Sequence, residues 1–156
     1  MITTKTLGFA PLLAFFLMFQ VNTLVWADEH PENHSYETKI HNDLELNHGK
    51  PWLADEHTTR VANQMQGSLE QFLIAHKEPS LEELRAQGKK LKSHLDSLIQ
   101  GCTMTGPAHD QLHHWLIKVI PEINHLQNTT SQPEGIQSVA KLDSLLDSYF
   151  IFFKGP

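Results

Sequence analysis

The sequence predicts an all-α protein: an up-down-up-down four-helix bundle that follows a signal peptide and a flexible, histidine-rich lead. Three observations predict this fold. Apolar residues recur at three- and four-residue steps in four segments, turn and capping residues separate those segments, and no stretch shows sustained strand alternation. About 129 residues remain after the signal, enough for one hydrophobic core. We therefore divide the chain into a signal peptide (1–27), a lead (28–54) and a bundle domain (55–156).

The first 27 residues have the three parts of a secretory signal. Lys5 provides a positive charge, apolar residues dominate 7–25, and Val25-Trp26-Ala27 precedes the polar Asp28. The alternative is an uncleaved membrane anchor, because 7–25 is nearly long enough to span a bilayer. Three polar residues near the end of this stretch favour cleavage instead: Gln20, Asn22 and Thr23. The sequence thus predicts a periplasmic or secreted protein, with no stable membrane insertion after the signal is cleaved.

The chain after the signal is acidic and rich in histidine. All 18 Asp and Glu and all 11 His follow residue 27, with 11 of the 12 Lys and Arg, so the formal charge there is −7 with His neutral. This balance argues against nucleic acid as a partner, because nucleic acid requires a basic face. The histidine content indicates metal binding or pH sensing. A single cysteine, Cys102, cannot form a disulfide within the chain, so the fold must depend on its core, and the thiol is left for a metal, for an intermolecular bridge or for no role.

The lead (28–54) shows no sustained periodicity and ends in a predicted turn. It carries His30, His34, His41 and His48. Its last part, Asn47 to Trp52, indicates a turn followed by an apolar anchor, Trp52 and Leu53. The first helix is predicted from about 55 to 77, because Asp55 and Glu56 suit the positive end of a helix. Its apolar stripe is Val61, Met65, Leu69, Phe72 and Leu73.

The second helix is predicted from Leu81 to about Gln100. Ser80 and Glu83 form a capping box at its start, and Gly101 is suited to end it. Its inward residues are Leu84, Leu91, Leu95 and Leu98. Gly88 lies on the same stripe, where it either allows close helix contact or leaves room for something else.

The third and fourth helices complete the predicted bundle. Gly106-Pro107 begins the third, Pro121 should kink or interrupt it, and a polar linker (128–135) precedes the fourth. The third stripe is Leu112, Trp115, Leu116, Val119, Ile120 and Ile123, and the fourth is Ile136, Val139, Leu142, Leu145, Leu146, Tyr149, Phe150 and Phe153. The up-down topology brings the Cys102 loop, the start of the third helix, the 48–52 lead and the aromatic tail (149–153) to one end of the bundle.

The segment from Cys102 to His113 is predicted to bind a soft metal ion, most of all copper. His109 and His113 are four residues apart, so they project from one face of the third helix. A thiolate and a thioether together favour copper over zinc. The predicted ligands are Cys102, Met104, His109 and His113, with His57, His94 and His48 as weaker candidates. Each also has a structural alternative: a buried thiol, a methionine that plugs the loop, or a chance histidine pair.

Two motifs resemble an uncharacterised family of small exported bacterial four-helix proteins. The first is Asn47-His48-Gly49-Lys50-Pro51-Trp52. The second is Cys102-Thr103-Met104-Thr105-Gly106, followed by His109 and His113. The family shares an Asn-x-Gly-Lys-x-Trp type lead and a Cys-Thr-Met-x-Gly, His-x-x-x-His core, and the likeness covers most of 44–153. The resemblance implies the four-helix fold and a periplasmic or secreted setting; it concerns the location of the site and not its chemistry.

The leading functional prediction is an exported protein that binds or handles copper. Its expected partners are the metal ion and another exported metal-handling protein. One alternative is a b-type haem-binding electron-transfer bundle, with Met65 or Met104 and His94 or His113 as axial ligands. Another is a metal-free interaction or stress protein whose histidines respond to acid. No enzyme is predicted, because the sequence has no nucleophile elbow, no paired Glu-x-x-His motifs and no His-Glu-x-x-His motif.

Overall fold

A computed structural model describes residues 44–156. The predicted signal peptide and the first part of the lead, to residue 43, lie outside the described residues. Four helices follow one another: α1 (Glu56–Ala75), α2 (Leu81–Gly101), α3 (Gly106–Asn128) and α4 (Gln132–Phe152). Each helix packs on the next and α4 also packs against α1, which confirms the all-α four-helix bundle. None of the helices in this part of the chain is long and apolar enough to cross a membrane.

The apolar stripes of the four helices meet in one core. Trp115 of α3 is fully buried, and its indole N–H donates to the carbonyl of Leu145 in α4 at 2.7 Å. The ring of Tyr149 meets the Trp115 ring edge-on, with 5.3 Å between centroids. Tyr149 and Phe153 stack on each other, so the aromatic tail belongs to the core, as predicted.

The helix starts follow the predicted capping chemistry. Ser80 and Glu83 form the complete capping box of α2. Asp55 caps α1, and its carboxylate accepts the Thr58 N–H at 2.6 Å. Pro107 lies in the first turn of α3, where its missing N–H has no helical partner to lose.

Several predicted details of the helices are wrong. Leu73 and Ile136 are 37% and 45% exposed, because each lies beside the buried stripe rather than within it. The linker before α4 is shorter than predicted, since Ser131 caps a helix that begins at Gln132. Of the two effects predicted for Pro121, a kink or an interruption, the interruption does not occur, because α3 continues past this residue. Pro121 lies on an exposed face of the helix, as does Ile117, so the carbonyl of Ile117 that loses its N–H partner can turn to water.

Gly88 provides the close helix contact rather than an open space. A Cβ atom at this position would lie 2.4 Å from the backbone nitrogen of Gln127 in α3. Because Gly88 has no side chain, the backbone of α2 can approach the backbone of α3 closely. Gln127 occupies the space where a Cβ atom of residue 88 would lie.

The described part of the lead, residues 44–54, is folded onto the bundle. Its turn is confirmed: His48 and Gly49 both have positive φ, 50° and 78°, between hydrogen-bonded Asn47 and Lys50. Strand β1 (Trp52–Leu53) then pairs in parallel with strand β2 (Phe153–Lys154).

The apolar anchor of the lead differs from the predicted one. Leu53 is 59% exposed, whereas Leu44 and Ala54 are buried. Trp52 is half-buried, and its indole N–H donates to the Glu45 carbonyl at 2.6 Å. The strand pairing turns Leu53 outward and its neighbour Ala54 inward, because side chains alternate along a strand.

Candidate functional site

The loop between α2 and α3, Cys102 to Thr105, is held by a carboxylate from another helix. Oδ2 of Asp55 accepts hydrogen bonds from Thr103, one from its N–H at 2.6 Å and one from its hydroxyl at 2.9 Å. Burial by itself would raise the pKa of Asp55, but these bonds and that from Thr58 N–H lower it to about 2. The loop is thereby tied to the start of α1 by an ionised group.

Met104 contributes to the core with its side chain and to the site with its backbone. The residue is 8% exposed and packs within the hydrophobic core. Its carbonyl oxygen lies 2.7 Å from Nδ1 of His109. The structure therefore places the thioether among apolar side chains, in the position of the loop plug that was the structural alternative.

The two roles of Met104 can be separated by substitution. Met104→Leu is expected to change the free energy of unfolding by less than about 1.5 kcal/mol, because the volume is retained. It is also expected to leave any Cu²⁺ affinity unchanged. Met104→Ala should cost about 2 kcal/mol or more, because it opens a cavity. Urea unfolding and a copper titration measure both effects, and a Leu variant that lost copper would identify the thioether as a ligand.

His109 and His113 form a pair in the first turns of α3. Their Nε2 atoms are 2.7 Å apart and their ring centroids 4.5 Å apart. A carbonyl can only accept, so Nδ1 of His109 donates to Met104. Neutral His109 then has an unprotonated Nε2, which accepts from Nε2–H of His113. One proton is thus shared on the line between two imidazole nitrogens, and His113 is exposed to solvent.

His57 is committed to the packing of α1 on α2. Its Nε2 lies 2.8 Å from the carbonyl oxygen of Ser97, and its Nδ1 lies 2.9 Å from the guanidinium of Arg60. The ring lies directly against Gly101, where a Cβ atom would be 2.2 Å from Nε2. The carbonyl of Ser97 can only accept and the guanidinium of Arg60 can only donate, so the two bonds select the Nε2–H tautomer of His57 and occupy both ring nitrogens.

The remaining candidate ligands lie apart from the histidine pair. Cys102 ends α2 and is half-buried against the core. His94 is half-buried on α2, and desolvation lowers its pKa. His48 is exposed at the turn of the lead.

Of the four predicted metal ligands, the structure brings together the imidazoles of His109 and His113. Between Leu44 and Pro156, no three side chains of His, Cys, Asp and Glu lie close enough together to hold a metal ion. Cys102 therefore does not join the pair as a third ligand in this arrangement.

Most motif residues have a role in the fold. Gly49 and Gly106 have positive φ, which favours glycine. Thr103 binds Asp55, and Gln111 of α3 accepts the Glu45 N–H at 2.8 Å. Sequence reasoning missed Asp55 and Gln111 as parts of the site, because their partners are 48 and 66 residues away and no local pattern marks them.

His113 differs from these residues. Its ring contacts His109 at an exposed position and supports no packing in the core. A side chain whose position is defined by another imidazole, and not by burial, is the strongest candidate for a functional group here. Comparisons of the chain with protein-family models, curated proteins and solved structures find no match.

Proposed function

We propose that this protein is an exported metal-binding protein that holds copper, as Cu²⁺, between the Nε2 atoms of His109 and His113. The observation that carries the proposal is the 2.7 Å approach of these two nitrogens on an exposed helix face. The metal would replace the proton that they share. The ligand set is narrower than the one expected from the sequence, because Met104 is in the core and Cys102 is outside the pair.

The hydrogen bond from His109 to Met104 supports a ligand role. Histidines that bind metals almost always donate their other ring N–H to a carbonyl, a carboxylate or water, and this bond selects the tautomer and orients the ring. Here Nδ1–H of His109 donates to the Met104 carbonyl at 2.7 Å. Nε2 of His109 is therefore unprotonated before any metal arrives. In His113 the proton has to move through solvent from Nε2 to Nδ1, which leaves a neutral imidazole with an Nε2 lone pair for the metal.

The ligand type favours copper(II) over zinc. Cu²⁺ binds nitrogen ligands more tightly than the other divalent ions of the first transition row. The exposed His113 ring has only to tilt for both lone pairs to face one ion.

Two protein ligands leave coordination positions for water or for a partner. A site that is open on the solvent side permits a second protein to supply a ligand and take the ion by exchange. This supports handling rather than permanent storage, with another exported metal-handling protein as the partner.

The test is the copper affinity of His113→Ala. We expect Cu²⁺ to bind at least about 100-fold more weakly, because a second ligand on the same scaffold gains that much from its effective concentration. The affinity is measured by competition with a chelator, and the electron paramagnetic resonance spectrum reports the nitrogens bound. Copper should also broaden the ring NMR signals of His109 and His113 before those of other histidines.

The matched control is His125→Ala, an exposed histidine in the last turn of the same helix. All variants retain the histidines of the lead, so copper bound there is common to them. The proposal fails if His113→Ala binds as tightly as the wild-type protein, or if His125→Ala loses as much affinity.

A further inference from the structure

We propose that Asp55 is a positioning residue for the histidine pair, which acts through Thr103 and the Met104 carbonyl to select the tautomer of His109. This inference rests on the proposed copper site. Asp55, the N-cap of α1, would then have a second role besides capping. It acts on the proposed ligand His109 indirectly, through Thr103 and Met104.

The connection consists of consecutive contacts. Asp55 accepts the N–H and the hydroxyl of Thr103. Met104 is the next residue, and its carbonyl accepts Nδ1–H of His109 at 2.7 Å. Nε2 of His109 is then the unprotonated nitrogen that faces His113. If the loop turns, the carbonyl moves away from Nδ1, and the proton of His109 is no longer held there.

The loop needs an outside support because it is extended at both ends. Cys102 has φ −66° and ψ 125°, and Thr105 has φ −142° and ψ 163°. Thr105 also caps α3 without a side-chain hydrogen bond. The side chain of Met104 holds the loop from the core side, and Asp55 holds it from the side of α1. An apolar contact leaves a carbonyl free to rotate, whereas two hydrogen bonds at the preceding residue restrict it.

The two oxygens of Asp55 have separate tasks, which allows a selective test. Oδ1 accepts the Thr58 N–H as the helix cap, and Oδ2 accepts both donors of Thr103. Asn caps helices about as well as Asp. Its amide nitrogen is a donor, so it cannot accept from the Thr103 N–H. Asp55→Asn should therefore keep α1 capped and release the loop.

The experiment measures the tautomer of His109 first and copper second. In the metal-free full chain, long-range ¹⁵N–¹H NMR should show one Nδ1–H tautomer of His109 in the wild-type protein and a mixture in Asp55→Asn. Cu²⁺ affinity should fall about tenfold, as it does when partners beyond the ligands are lost. Asp55→Ser keeps a cap for α1, but its side chain is too short to reach Thr103. We expect the same changes in tautomer and copper affinity as in Asp55→Asn, and this variant replaces Asp55→Asn if the latter folds poorly.

The control is Ser80→Ala, which removes the N-cap of α2. Ser80 lies at the start of α2, whereas the loop from Cys102 to Thr105 follows the other end of that helix. Ser80→Ala should lower stability without changing the tautomer or the copper affinity. The inference is overturned if Asp55→Asn leaves both the His109 tautomer and the copper affinity unchanged. It is also overturned if Ser80→Ala changes the tautomer and the copper affinity as much as Asp55→Asn does. Either result leaves the proposed copper site intact. If the tautomer changes but copper binding in the wild-type protein does not depend on His113, the positioning stands and the proposed function fails.

Discussion

Gly88→Ala is expected to lower the free energy of unfolding by at least about 2 kcal/mol, because the added methyl overlaps backbone. The new Cβ would lie 2.4 Å from the nitrogen and 2.6 Å from the Cα of Gln127. A side chain could turn aside, but backbone cannot, so α2 and α3 must separate along their contact. The usual gain of replacing a helical glycine with alanine, about 1 kcal/mol, offsets only part of this cost.

Gly67→Ala is the matched control for that substitution. Gly67 lies inside α1, and an added Cβ would meet nothing within 4 Å. We expect this variant to be more stable than the wild-type protein by about 0.5–1 kcal/mol, because alanine restricts the unfolded chain and costs no contact. Urea unfolding of both variants gives the comparison. Equal effects of the two substitutions would show that α2 and α3 do not meet closely at Gly88.

Asp55→Ala should destabilise the protein at neutral pH by about 2 kcal/mol, because it removes a helix cap and the charged acceptor of the Thr103 bonds. The loss should depend on pH. The pKa of Asp55 is lowered from 3.8 to about 2 in the folded protein. The ionised carboxylate therefore stabilises the fold fully above the unfolded pKa, and this part is lost as the pH falls through the folded pKa.

Urea unfolding of the wild-type protein and Asp55→Ala between pH 7 and pH 2 tests this dependence. The difference between the two should be constant down to about pH 5 and should shrink between about pH 4 and pH 2. The part that disappears is on the order of 1–2 kcal/mol once solvent screening is allowed for. If the difference in unfolding free energy between the two proteins keeps its full size at pH 2, the protonated carboxyl group of Asp55 holds the Thr103 loop as well as the ionised carboxylate does, and the prediction is wrong.

The histidine pair shows what could be predicted of the site and what could not. The i, i+4 spacing of His109 and His113 predicted their contact, because the geometry of one helix decides it. The Met104 side chain points into the hydrophobic core because the loop packs over the apolar residues of the helices. The spacing of residues along the sequence does not predict this direction. Cys102 lies two residues before Met104, yet it packs against the core at the end of α2 and stays outside the pair.

The sequence by itself determined the four helices, the capping box of α2 and the end of the bundle at which the motifs meet. Apolar period, capping residues and prolines act over a few residues, so they can be read without the partner helices. Tertiary structure alone decided that Gly88 meets Gln127 backbone, that Leu53 faces outward, and that Asp55 holds Thr103. These contacts join residues 39 to 48 positions apart, or depend on strand pairing across the whole bundle, and the packing of the helices brings them together.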